Sequence, residues 1–192
     1  MKKIILFFFI NSSLNLFCQE RLNLDYLASK YTLRSFEGFK KLLSIPNDAN
    51  DKIGIDKNIE WTEEKFGKRG FKVSKIKTMG APLLLAKRDF TSKGKTVLIY
   101  LQMDGQPVDP SKWDQENPYS PVLKKMNSFG HWESMDWKKI YEYNDDWRIF
   151  ARSASDAKGP VSMFLAAIDA IDENGITPNF NVKVILDFEE EM

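Results

Sequence analysis

Three acidic features occupy comparable places along the chain. Asp104 follows the apolar run 96–101, Asp156 follows the short run 147–151, and Glu189, Glu190 and Glu191 follow the run 182–186. Apolar runs of this length read as β-strands, and in open α/β sheets sites form in the crevice beyond the carboxyl ends of the strands. If these strands are parallel neighbours, the carboxylates converge. Gathered carboxylates repel one another unless protons or a cation offset them, so a divalent metal is the natural counter-charge. Each acid also has an ordinary structural use. Asp104 suits a turn before Gly105, Asp156 a helix N-cap, and the glutamates a solvated end. Their shared position at strand ends favours a site.

The elements that must position them can be read from periodicity. Residues 24–43 are expected to be helical, with Phe36, Phe39 and Leu43 on one stripe, and Pro46 and Asn47-Asp48 to end the helix. A second helix is expected over about 57–68, stopped by Gly70. Residues 71–77 alternate like a half-buried strand, 81–90 form its neighbour, and 96–101 are apolar enough for a strand buried on both faces. The clearest helix is 160–174, with Val161, Phe164, Leu165, Ile168 and Ile171 on one face. The strand at 147–151, this helix and the strand at 181–188 together read as a βαβ unit. Residues 107–147 carry four of the five tryptophans, Trp113, Trp132, Trp137 and Trp147. They show no clear period and read as a long loop covering one end of the sheet; a stretch of this length without elements is usually functional.

Composition sets outer limits. A chain of 192 residues, 43% hydrophobic and 29% charged, suits one globular domain with a real core. A formal charge of +1 from 28 basic and 27 acidic residues points neither to nucleic acid nor to an anionic membrane as partner. Lys2 and Lys3, the apolar run 4–10 and Cys18 have the layout of a signal peptide spanning residues 1–18, cut before Gln19. The run is too short for a permanent membrane span. Export to a periplasmic or extracellular location follows. Lipid attachment at Cys18 is disfavoured by the bulky Leu16 and Phe17 before it. Removal of residues 1–18 leaves no cysteine, and His131 is the one histidine, which rules out any site within this chain that needs two.

The ordered stretches LIYLQMDGQP, ARSASDAKGP and VKVILDFEEEM resemble the zinc metallopeptidase family M20, which includes carnosinase-type dipeptidases, bacterial carboxypeptidase G and acetylornithine deacetylase. That family shows a strand ending His-x-Asp before a Gln-Pro turn, a Gly-Arg-Gly-(Ala)-(Ser/Thr)-Asp-(Asp/x)-Lys-Gly segment, and a strand ending Glu-Glu. The helix RSFEGFKKLLSIPND is also similar to the family's N-terminal helix. The resemblance implies an α/β catalytic domain of the zinc-exopeptidase kind, with a mixed, mainly parallel sheet flanked by helices, here incomplete and without its lid domain. It implies two zinc ions, with cobalt or manganese as alternatives. By motif, Asp156 would bridge the two metals, Glu190 would be the general base and Glu191 a ligand. Asp104 would orient the first metal-binding side chain, as carboxylates do behind metal-bound histidines.

Gln102 stands where the family has that histidine ligand. An amide oxygen is a harder and weaker zinc ligand than an imidazole nitrogen, so one metal position is expected to be weak or to prefer a more oxophilic ion. His131 is the available substitute imidazole, although its place in the long loop reads as surface. Residues 19–192 are therefore expected to be the N-terminal portion of a metallopeptidase catalytic domain, with a Trp-rich insertion at about 107–147. The expected reaction is hydrolysis of a peptide or amide bond in a short substrate, as by a dipeptidase or carboxypeptidase. The family's remaining ligands and lid would lie beyond Met192, and a homodimer is expected only with the lid present. The alternative is a truncated or inactive member that acts, if at all, as a binding module.

Overall fold

The structure, a computed structural model, describes residues 23–192; the expectations for the signal peptide and for Cys18 lie outside the described residues. Helix α1 (Leu24–Leu43) has the expected span and starts at Asn23, whose side chain accepts the Tyr26 N–H at 3.0 Å. Helix α2 (Lys52–Gly67) begins earlier than the expected 57. An Asx turn, in which Asp48 Oδ1 accepts the Asn50 N–H at 2.8 Å, reverses the chain quickly enough for α2 to start at once. Helix α3 (Lys158–Glu173) buries Val161, Leu165 and Ile168, with Phe164 and Ile171 packed beside them, so its expected stripe is the core face.

Four strands form the main sheet: β1 (Lys72–Ile76), β2 (Leu83–Arg88), β3 (Thr96–Gln102) and β7 (Asn181–Asp187), in the order β1-β2-β7-β3. The sheet is mixed, as expected, but parallel pairing is confined to β3 and β7; β1–β2 and β2–β7 are antiparallel. A short connection between β1 and β2 permits only the antiparallel arrangement, because parallel neighbours need a long crossover. Strand β3 was expected to be buried on both faces. It lies instead at an edge, with Val97, Leu98 and Tyr100 exposed.

The long segment between β3 and α3 is not a loop. It contains β4 (Val122–Met126), β5 (Trp132–Met135) and β6 (Arg148–Phe150), joined in a separate antiparallel sheet of order β5-β4-β6. Trp132 packs edge-on against Phe150, with ring centroids 5.1 Å apart. The tryptophans are thus partly scaffold. A consequence is that β6, α3 and β7 do not form a βαβ unit. Strand β6 pairs with β4, and the strand parallel to β7 is β3.

The core lies between helices α2 and α3 and one face of the main sheet, where Ile59, Phe66, Leu84, Met103, Val161, Val184, Leu186 and Phe188 are buried. Phe66, Phe71 and Phe164 meet with centroids 5.3 to 5.9 Å apart. Three bidentate pairs fix α3 from outside, Arg69 with Asp169 and Arg88 with Asp172, at 2.6 to 2.7 Å, and Arg34 with Glu173. These pairs hold the C-terminal half of α3, while its N-terminus, which follows the Asp156 loop, is held by the packing of Val161 and by the buried Lys158.

Candidate active site

The ends of β3 and β7 lie side by side because their parallel register pairs Leu101 with Leu186 and Gln102 with Asp187. The residues that follow fold over this end. Asp104 is 1% exposed. Its Oδ2 accepts the Glu191 N–H at 3.0 Å, and its Oδ1 is buried without a partner. Burial pushes the Asp104 carboxyl above the ordinary aspartate range, against the opposing effect of that N–H.

Neighbouring acids divide into those held by the protein and those left free. Asp187 Oδ1 accepts the Glu189 N–H at 3.0 Å, and its Oδ2 accepts the Tyr100 hydroxyl at 2.8 Å. Desolvation, then the bond to Asp187, raises the Tyr100 phenol to about 12. Glu189 reaches back to accept the Ala81 N–H at 2.8 Å, over Gly80, where an added Cβ would meet its Oε2 at 1.9 Å. Glu189 is thus a clasp between the β1–β2 turn and the end of β7. Glu191 Oε2 accepts from Gln106 Nε2 at 2.9 Å. Glu190 is exposed and, among the described residues, its carboxylate accepts no hydrogen bond.

Asp156 lies in the loop that leads into α3. It too is exposed, and among the described residues its carboxylate accepts no hydrogen bond. The loop is docked firmly on either side of it. Ser153 Oγ and Arg152 press on Gly105, where a Cβ would stand 2.7 Å from the hydroxyl, so only glycine lets the two loops come this close. Lys158 is fully buried and its Nζ donates to the Leu42 carbonyl at 2.9 Å and to the Ile45 carbonyl. Burial lowers this ammonium to about 7.

The structure thus brings Gln102, Asp104, Glu190 and Glu191 to one end of the β3–β7 pair, and docks the Asp156 loop on the 104–105 turn. His131 sits exposed in the β4–β5 turn, its N–H donated to Asn127 Oδ1 at 3.0 Å. Residues not foreseen as part of this region are Tyr100, Asp187 and Asn47. Strand alternation could have placed Tyr100 and Gln102 on one face, but the pairing of Gln102 with Asp187 required the register.

The donors suit a divalent cation in kind. Asp156, Glu190 and Glu191 offer hard carboxylate oxygens, and the orphaned Asp104 Oδ1 suits an acceptor awaiting the N–H of a metal-binding side chain. Among the described residues, however, no group of three His, Cys, Asp or Glu side chains is close enough to hold an ion. Gln102 donates nothing to Asp104 among these residues.

A mixed α/β layer with carboxylates beyond the ends of a parallel strand pair is the arrangement in which α/β proteins place their sites. Residues 98–192 match the model of Peptidase family M20/M25/M40. Solved structures with the same fold include an M20 family metallo-carboxypeptidase from Sulfolobus solfataricus, at 31% identity and a TM-score of 0.61 over 81% of this chain and 31% of that one. A di-peptidase from Saccharomyces cerevisiae aligns at 19% identity and a TM-score of 0.62, over 84% of this chain and 34% of its own. Human carnosine dipeptidase 1 aligns at 19% identity and a TM-score of 0.66, over 87% and 35%. A search among curated proteins gave no match. The chain belongs to peptidase family M20/M25/M40, and it spans about a third of the length of the solved relatives.

Proposed function

We propose that this chain carries part of the active site of a metal-dependent peptidase that hydrolyses a peptide or amide bond in a short substrate, in the manner of a dipeptidase or carboxypeptidase. The observation that carries the reading is the division of labour among the strand-end acids. Asp104, Asp187 and Glu189 are held by hydrogen bonds, whereas Glu190 and Asp156 are exposed and free.

In this reading Asp156, Glu191 and Gln102 hold one or two divalent ions, with zinc the family's usual metal and cobalt or manganese as alternatives. Such an ion, when bound, polarises the scissile carbonyl and acidifies water. The Glu190 carboxylate then takes a proton from the attacking water and returns it to the departing amine nitrogen. Asp104, buried and anchored to the Glu191 N–H, fixes the backbone that presents Glu190 and Glu191. The protein is exported, with residues 1–18 as its leader. Full-length protein, purified and incubated with zinc, cobalt or manganese, should cleave dipeptides in a chelator-sensitive way. Loss of turnover with every metal would defeat the proposal.

The replacement of the ligand histidine by Gln102, together with the open arrangement of the donors, favours a second reading in which the chain is an inactive member that binds without turnover. Tight dipeptide binding by calorimetry with no product formed would support it.

A further inference from the structure

The segment between α1 and α2 does more than end a helix. Asn47 is fully buried between the two loops that carry the site acids. Its Nδ2 donates to the Met103 carbonyl at 2.8 Å and to Ser153 Oγ at 2.9 Å, and the Ser153 hydroxyl lies 3.3 Å from Asn47 Oδ1. The Asn47 carbonyl accepts the Gly105 N–H at 2.8 Å, and the Ala49 N–H donates to the Gly105 carbonyl at 3.3 Å, forming a short parallel bridge between Asp48 and Gly105. A single side chain therefore spans from the residue before Asp104 to a residue of the Asp156 loop.

We infer that Asn47 is a positioning residue that couples the loop carrying Asp104 to the loop carrying Asp156 and holds the two acids in one register. The relevance of that register to catalysis rests on the peptidase reading; the coupling itself does not. The chemistry of the site calls for an amide. Two donors on one nitrogen satisfy a carbonyl and a hydroxyl at once, and one acceptor remains for the hydroxyl proton. Aspartate would lose both donors, and an apolar side chain would leave the buried Met103 carbonyl and Ser153 hydroxyl without this partner.

Asn47→Ala and Ser153→Ala separate the coupling from general stability. Amide hydrogen exchange reads local opening directly. In Asn47→Ala, exchange should accelerate about tenfold or more in both 103–106 and 153–157, while Val184 and Leu186 in β7 keep their protection. In Ser153→Ala, which leaves the bond to Met103 intact, only 153–157 should loosen. Manganese affinity, titrated on the same proteins, should fall about tenfold in Asn47→Ala, and kcat on a dipeptide should fall while KM changes little. Acceleration in one loop alone in Asn47→Ala, or a uniform rise that includes β7, overturns the coupling. A wild-type protein that binds no manganese and cleaves no dipeptide removes the peptidase reading, and the exchange result still decides the coupling.

Discussion

The backbone N–H of Glu191 donates to Asp104 Oδ2, and the other oxygen of the same buried carboxylate has no partner. An ionised group held this way lowers stability, because burial disfavours its charge. Asp104→Asn keeps an oxygen for the Glu191 N–H and removes the charge. The variant should be more stable than the wild type near neutral pH, by about 1 kcal/mol, and should bind divalent metal more weakly. The raised carboxyl pKa gives the sign. With its carboxyl protonated the wild type keeps full stability below the unfolded pKa and loses stability as pH rises through the raised folded pKa, whereas the variant should not. Thermal melts from pH 4 to 8 with paired metal titrations check both halves.

Gln102→His restores an imidazole at the end of β3, opposite Asp187 in the strand register. Its second ring nitrogen would offer an N–H to the orphaned Asp104 Oδ1. Zinc affinity should rise by about tenfold to a hundredfold, and a second Asp104→Asn change should cancel much of the gain. Isothermal calorimetry on the two single variants and the double variant measures the coupling. Additive effects would mean that the histidine gains nothing from Asp104.

The helix and strand positions were largely legible, because α3 and β7 carry periodic apolar faces that burial then uses; on α1 burial takes Leu27, Tyr31, Leu42 and Leu43, and of the expected stripe only Leu43. Pairing was not. Sequence order suggested β6 as the partner of β7, and the structure gives that place to β3, because 107–147 contain turn and strand signals too irregular to show a second sheet. At the site, Asp104, Glu190 and Glu191 were legible from their place after strands. The clasp made by Glu189 and the bridge made by Asn47 were not, since both depend on contacts between segments far apart in the chain. Asn47 reads locally as a helix terminator.

Glu190 has no structural bond to lose among the described residues, so its replacement isolates chemistry from folding. Glu190→Gln should leave the melting temperature and metal affinity close to wild type. Dipeptide turnover should fall by about 10² to 10⁴, the usual contribution of a positioned general base. Steady-state kinetics with a melt on the same preparation checks this. A loss of stability comparable to that of Glu189→Ala, which breaks the clasp to Ala81, would show that Glu190 is structural instead.

Tyr100 and Asp187 join β3 to β7 across the site end through one hydroxyl. Desolvation first, and the bond to Asp187 second, raises the phenol from its ordinary value near 10 to about 12. For an acid raised in the folded state, the stabilising effect is complete below the unfolded pKa and disappears as pH climbs through the folded one. The window for Tyr100 is therefore pH 10 to 12, with stability falling across it. Phenolate absorbance should show a step near pH 12 in the wild type that is missing from Tyr100→Phe, while the raised phenols of Tyr119, Tyr141 and Tyr143 persist in both. The difference in stability between the two proteins should shrink as pH passes from 9.5 to 12. Half-exposure of the side chain keeps the effect small near neutrality. A step near pH 12 that survives the substitution would assign that shift to another tyrosine and leave Asp187 with a bond too weak to order the end of β3.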